Sequence, residues 1–102
     1  MIRATLTMQV KAGREQDFEQ AWKVVAGHTR RIPGNIRQTL LRDPTNQLVF
    51  VITSDWESLG AFQRFERSPE QDMLTAPLRE LRESAQMTVH HLIVHIEKDG
   101  NS

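Results

Sequence analysis

The chain has 102 residues, with 13 Lys+Arg against 13 Asp+Glu and neither cysteine nor tyrosine. The length suits one domain. The missing thiols exclude a disulfide framework, a thiolate zinc site and a cysteine nucleophile, and the zero net charge is unlike the basic excess of a dedicated nucleic-acid binder. The first ten residues, MIRATLTMQV, alternate polar and apolar, and no long apolar run follows. The expectation is therefore a cytoplasmic domain without signal peptide or membrane span. The neutral total conceals two opposite halves. Residues 1–42 hold eight of the basic and three of the acidic side chains, so the halves carry +5 and −5, an arrangement able to draw two copies together.

Ile2, Ala4, Leu6, Met8 and Val10 alternate with polar neighbours, which is a strand with one apolar face. Ala12-Gly13 ends it. From about Glu15 the period changes: Phe18, Trp22, Val25, Thr29 and Ile32 form one stripe of an amphipathic helix, with Glu15, Asp17 and Glu19 near its positive end. Pro33-Gly34-Asn35 stops it. Ile36 to Arg42 and Leu48 to Trp56 read as strands. Asp43-Pro44-Thr45-Asn46 supplies the turn chemistry of an antiparallel hairpin between them. Ser58 is placed to cap a helix holding Leu59, Phe62 and Phe65, and Ser68-Pro69 to start another. Pro77 predicts a further short helix through Leu78 and Leu81. Met87 to Glu97, MTVHHLIVHIE, reads as a long last strand.

The sum is an α+β chain of the ferredoxin-like order β-α-β-β-α-β, an antiparallel sheet with helices on one face. One domain is expected over residues 1–97, with a polar tail over 98–102. The last strand is apolar on both sides (Leu92, Val94 and Ile96 on one, Met87, Val89 and Ile93 on the other), so the bare face of the sheet is expected to be far from polar. A second copy is the simplest cover, which predicts a homodimer through the sheet faces and the last strand.

His90, His91 and His95 crowd that strand. Positions four apart in a strand lie about 13 Å from one another, too far to share a metal with bonds of about 2 Å, and no metal site is expected. The glycines form no phosphate-cradling loop and no serine sits in a nucleophile elbow. Trp56 closes a strand where the chain turns into a helix. There a rigid aromatic can wall a pocket while its indole N–H holds a polar ligand atom.

The run Pro33-Gly34-Asn35, a strand, Leu41-Arg42-Asp43-Pro44, a strand closing on Trp56-Glu57-Ser58, then Ala61 and Ser68-Pro69, resembles the antibiotic biosynthesis monooxygenase family of dimeric α+β barrels. Lys11-Ala12-Gly13-Arg14-Glu15 after the opening strand matches the same pattern, and the likeness spans about residues 2–97. It implies a pocket between sheet and helices in each subunit. It also implies oxidation of an aromatic polyketide, anthrone or quinol by molecular oxygen, with no cofactor. Trp56 matches the family's pocket tryptophan. Positions where oxygenase members often carry asparagine are here near Thr7 and at Ile52, and Phe65 stands where a histidine commonly follows the tryptophan. That last difference counts against the haem-degrading branch.

On this likeness Trp56 and Thr7 are the expected catalytic residues. Phe62, Phe65, Thr53, Arg79 and His91 are expected to bind a small aromatic substrate. A polyketide cyclase on the same fold, or a non-catalytic ligand-binding or accessory dimer, are the alternatives.

Overall fold

The computed structural model describes residues 1–99; residues 100–102, part of the expected polar tail, lie outside the described region. The elements run β1 (Ile2–Val10), α1 (Glu15–Thr29), β2 (Asn35–Arg42), β3 (Val49–Trp56), α2 (Leu59–Glu66), α3 (Pro69–Leu81) and β4 (Arg82–His91). The strands form one antiparallel sheet in the order β2-β3-β1-β4. This is the ferredoxin-like plan with its second helical segment divided in two.

Local chemistry explains most boundaries. The Asp43 carboxylate accepts 2.8 Å hydrogen bonds from the Thr45 and Asn46 amides and from the Thr45 hydroxyl, closing the β2–β3 turn. Ser58 caps α2 by accepting from the Ala61 amide at 3.1 Å, and Ser68 caps α3 by accepting from Gln71 at 3.0 Å, with Pro69 in the first helical turn. Gly34 takes φ +91°, which leads the chain from α1 into β2.

Two boundaries differ from the sequence expectation. Pro77 does not start a separate helix; it lies within α3, on an exposed side where the missing N–H costs one helical hydrogen bond and no packing. The last strand also lies earlier than expected. Its pairing begins at Arg82 and ends at His91, while residues 92–99 continue beyond it, tied at the start by the Leu92 amide to the Met1 carbonyl at 2.9 Å. Strand β4 forms because β1 offers a free edge to pair with, not because its side chains are buried. From Glu83 to His91 they are exposed.

The helices cover one face. Against that face the core divides. Met8, Val10, Phe18, Val25, Phe50, Leu78 and Leu81 form one cluster, and Ile2, Ala4, Trp56, Ala61 and Phe62 a second. Leu6 and Ile52, paired with each other between these clusters, are only partly buried.

The opposite face is more polar than the apolar last strand led us to expect. Register places Thr39, Thr53, Thr5 and Thr88 in one row across all four strands, and Arg37, Asp55, Arg3 and His90 in the next. Asp55 is 1% exposed and accepts from Arg3 Nε and Nη2 at 2.7 and 3.0 Å, with Arg37 Nε at 3.4 Å. The hydrogen bonds from Arg3 hold the Asp55 carboxyl below its usual range. Leu41 is exposed on this face, and further exposed apolar side chains lie at the sheet edge and beyond: Met87 and Val89 on β4, then Ile93, Val94 and Ile96. No helix among the described residues is long and apolar enough to cross a membrane.

Candidate active site

The gap between the two core clusters is a cavity of about 190 Å³ over the middle of the sheet. Its floor is Ala4, Leu6, Gln38, Ile52, Ser54 and Met87, and its walls come from Trp22 and Thr29 on α1, Phe62 and Phe65 on α2, and Thr75 and Leu78 on α3. Trp56 closes one end. Its ring stacks on Phe65, with centroids 5.0 Å apart and planes inclined at 29°, and meets Phe62 at 5.9 Å and 59°. Such offset and tilted pairs satisfy the ring quadrupoles, so the three aromatics form a preformed apolar wall.

Gly34 makes that wall possible. A Cβ at this position would meet the Ala61 Cβ at 2.6 Å and lie 3.9 Å from Trp56 Cε3. The α1–β2 connection passes directly against the tryptophan and the start of α2, and only a residue without a side chain fits between them.

The indole N–H of Trp56 is already engaged. It donates to Ser54 Oγ at 3.0 Å, so the polar handle expected of the tryptophan is spent within the protein. Ser54 itself lines the cavity, and its own hydroxyl hydrogen remains to offer a ligand. Gln38 is held by donating from Nε2 to the Ala26 carbonyl at 3.1 Å, and Thr29 by donating to the Val25 carbonyl at 3.0 Å.

The ionisable lining residues are Glu66, Arg79 and Arg82. Arg79 lies back along α3, donating to Thr75 Oγ1 at 2.5 Å and to the Asp72 carbonyl at 2.9 Å, with the Asp72 carboxylate 3.3 Å away. Arg82 is half-buried, and desolvation followed by repulsion from Arg79 draws its pKa below the ordinary arginine range.

The structure brings together Trp56, Phe62, Phe65 and Arg79 of the residues singled out in the sequence, and separates three others from them. Thr7 stands opposite Val51 and Gln86, and Thr53 opposite Thr5 and Thr39, all on the sheet face away from the helices. On β1 and β3 the cavity side belongs to the neighbours Leu6, Ile52 and Ser54, because successive strand residues point to opposite faces. His91 shares a row with Trp56 but lies two strands away, roughly 10 Å, with buried Ile2 between them and its own side chain exposed. Ser54, Gln38, Thr75 and Arg82 were not singled out in the sequence. For Ser54 a signal was present, since it lies two residues before Trp56 and so shares its face.

The family model described as antibiotic biosynthesis monooxygenase matches residues 1–73. A 42.8 kDa protein in the whiE locus of Streptomyces coelicolor is 27% identical over 77 residues, covering 76% of this chain and 19% of that protein. Protein SchA of Streptomyces halstedii is 26% identical over 77 residues, covering 76% and 20% respectively. The chain thus spans about a fifth of the length of these curated relatives.

Among solved structures, SnoaB, a cofactor-independent oxygenase from Streptomyces nogalater, superposes with a TM-score of 0.84 at 23% identity, covering 95% of this chain and 97% of that one. A structure described as a putative antibiotic biosynthesis monooxygenase from Deinococcus radiodurans gives 0.83 at 22% identity, covering 98% and 100%. At these identities the structural likeness speaks for the fold, and the family match over most of the chain speaks for descent. The chain belongs to the antibiotic biosynthesis monooxygenase family.

Proposed function

We propose that the protein is a cytoplasmic, cofactor-independent monooxygenase that oxidises an aromatic polyketide of the quinol or anthrone type with molecular oxygen. The observation that carries this reading is the cavity, an aromatic wall of Trp56, Phe62 and Phe65 facing a carboxylate and two guanidinium groups. Its volume of about 190 Å³ is little above the ~150 Å³ that takes up benzene. It encloses the reacting ring, and further rings extend through its open side.

In this reading the ring stacks against Trp56 and Phe65, and Ser54 donates to a ring oxygen. Arg79 favours the ionised form of the ring oxygen, and Glu66 is the lining carboxylate able to accept the proton. The resulting anion is delocalised over the ring and passes an electron to oxygen. For an anthrone the balance closes without any other reductant. The methylene becomes a carbonyl with one oxygen atom, its two hydrogens leave in water with the other, and the substrate supplies all four electrons. The protein's part is to bind, orient and deprotonate. Ile52 lines the cavity where oxygenase members often carry an amide, so the burden of stabilising negative charge falls on Ser54 and Arg79.

A homodimer is the functional unit in this reading. The exposed Met87, Val89, Ile93, Val94 and Ile96 support it, since two copies meeting at this edge remove that apolar surface from water. The test of function is oxygen uptake by metal-free protein with an anthrone or a dihydroquinone. The expected result is consumption of one oxygen per product well above the uncatalysed rate. Product formed equally fast without oxygen identifies the cyclase alternative, and no acceleration with any such substrate removes the enzyme reading.

A further inference from the structure

The pairing of β4 with β1 is regular from Ile2 opposite His91 to Gln9 opposite Ser84, and the β4 residues on the helix-covered side of the sheet are Ala85, Met87, Val89 and His91. Continued without interruption, this alternation sets Glu83 opposite Val10 on the cavity side. A bulge between Gln9 and Val10 shifts the register by one, so that Arg82 stands opposite Val10 instead. Because side chains alternate with period two, a one-residue slip exchanges the two faces, and bulges re-aim side chains in this way. At the start of β4 the slip gives the cavity a cation where regular pairing would give it an anion.

Arg82 is also unemployed. Its guanidinium makes no hydrogen bond or ion pair with any other described residue, and the charged neighbour that acts on it is Arg79, of the same sign. Arg79 is held by Thr75 and Asp72. Glu66, the lining carboxylate, is exposed. A half-buried guanidinium with all its donors free, beside an aromatic wall, is suited to a planar group with two oxygens. A single ionised oxygen leaves one arm of the fork empty.

We propose that Arg82 binds a carboxylate carried by the aromatic ligand, so that the substrates of this protein are aryl carboxylates rather than neutral aromatics. The proposal rests on the cavity being the ligand site, as in the function proposed above, but not on the oxygen chemistry.

The test is titration of the full chain with a naphthoate and with the matching neutral naphthamide, followed by fluorescence of Trp22 and Trp56, which both line the cavity. Naphthoate is expected to bind about tenfold or more tightly than the amide, as a charge-assisted bidentate pair should. Arg82→Met is expected to bring the two affinities within about twofold, by weakening naphthoate far more than the amide. Arg82→Gln gives the same comparison if the methionine variant does not fold. Glu83→Gln, on the other face, is expected to keep the preference. Equal affinities in the unaltered protein, a preference that survives loss of Arg82, or binding of neither probe overturns the proposal. Oxygen uptake on the same preparations separates the two claims. Uptake without a carboxylate preference removes this proposal alone, and an Arg82-dependent preference without uptake removes the oxygenase reading alone.

Discussion

Replacing Gly34 with alanine tests whether the tight passage beside Trp56 organises the candidate site. Two costs combine. A side chain at φ +91° is disfavoured by about 1–2 kcal/mol in the left-handed region. The new methyl would stand 2.6 Å from Ala61 Cβ, about 1 Å inside ordinary carbon contact, and such overpacking costs about 1–3 kcal/mol. The total, about 2–5 kcal/mol, is a large share of the 5–15 kcal/mol expected of a domain this size. In thermal unfolding it corresponds to a fall in Tm of more than about 10 °C.

A double-mutant cycle separates the two costs. Ala61→Gly alone destabilises by about 1 kcal/mol through helix propensity, but it removes the obstructing methyl. Gly34→Ala with Ala61→Gly is therefore expected to be more stable than the sum of the single effects by about 1–3 kcal/mol, leaving only the backbone cost of Gly34→Ala. Urea unfolding of the four proteins supplies the numbers. Additivity within about 0.5 kcal/mol would mean that the contact with Ala61 is not what reserves the position for glycine.

Trp56→Phe keeps the apolar wall but removes the hydrogen bond to Ser54 and part of the stack on Phe65; a stability loss of about 1 kcal/mol and a fall of about tenfold in kcat/KM through looser ring placement are expected, read by calorimetry and oxygen uptake. Asp55→Asn removes the charge that holds Arg3 and Arg37. Because both guanidiniums are partly hydrated, about 1.5 kcal/mol is expected at pH 7. The Asp55 carboxyl titrates below its usual value in the folded protein, so this stabilisation is present above the ordinary carboxylate pKa and is lost as the pH falls through the lowered one. The Tm difference between the two proteins should therefore be constant near neutrality and vanish in strong acid. Truncation after His91 removes Ile93, Val94 and Ile96. If the proposed dimer forms through this edge, it is expected to shift sedimentation from dimer towards monomer while the monomer's far-ultraviolet circular dichroism is kept; an unchanged dimer would place the contact elsewhere.

Much of the fold was legible because local signals and packing agree. The period-two run of β1, the stripe of α1 and the caps at Ser58 and Ser68 each depend on side chains that do the work themselves. The start of β4 was not, because Arg82-Glu83-Ser84-Ala85-Gln86 joins the sheet through main-chain pairing with its side chains largely in water, and such a strand has no apolar period to read. The aromatic wall was visible as Trp56, Phe62 and Phe65 at the junction of a strand and a helix. Arg82 was not, since alternation counted from Met87 puts it on the wrong face, and only the bulge beside Val10 reverses the parity.

The exposed segment after β4 bears on how the protein survives as well as on how it assembles. Leu92 to Ile96, LIVHI, combines high strand propensity with low charge and has no proline, the composition of segments that seed cross-β stacking when left open. It follows an edge strand whose own free rim offers a template. In the proposed homodimer the second copy, in covering this stretch, also acts as its gatekeeper. The chain should be most prone to fibrils when dilution strips that partner away, rather than when the protein is concentrated.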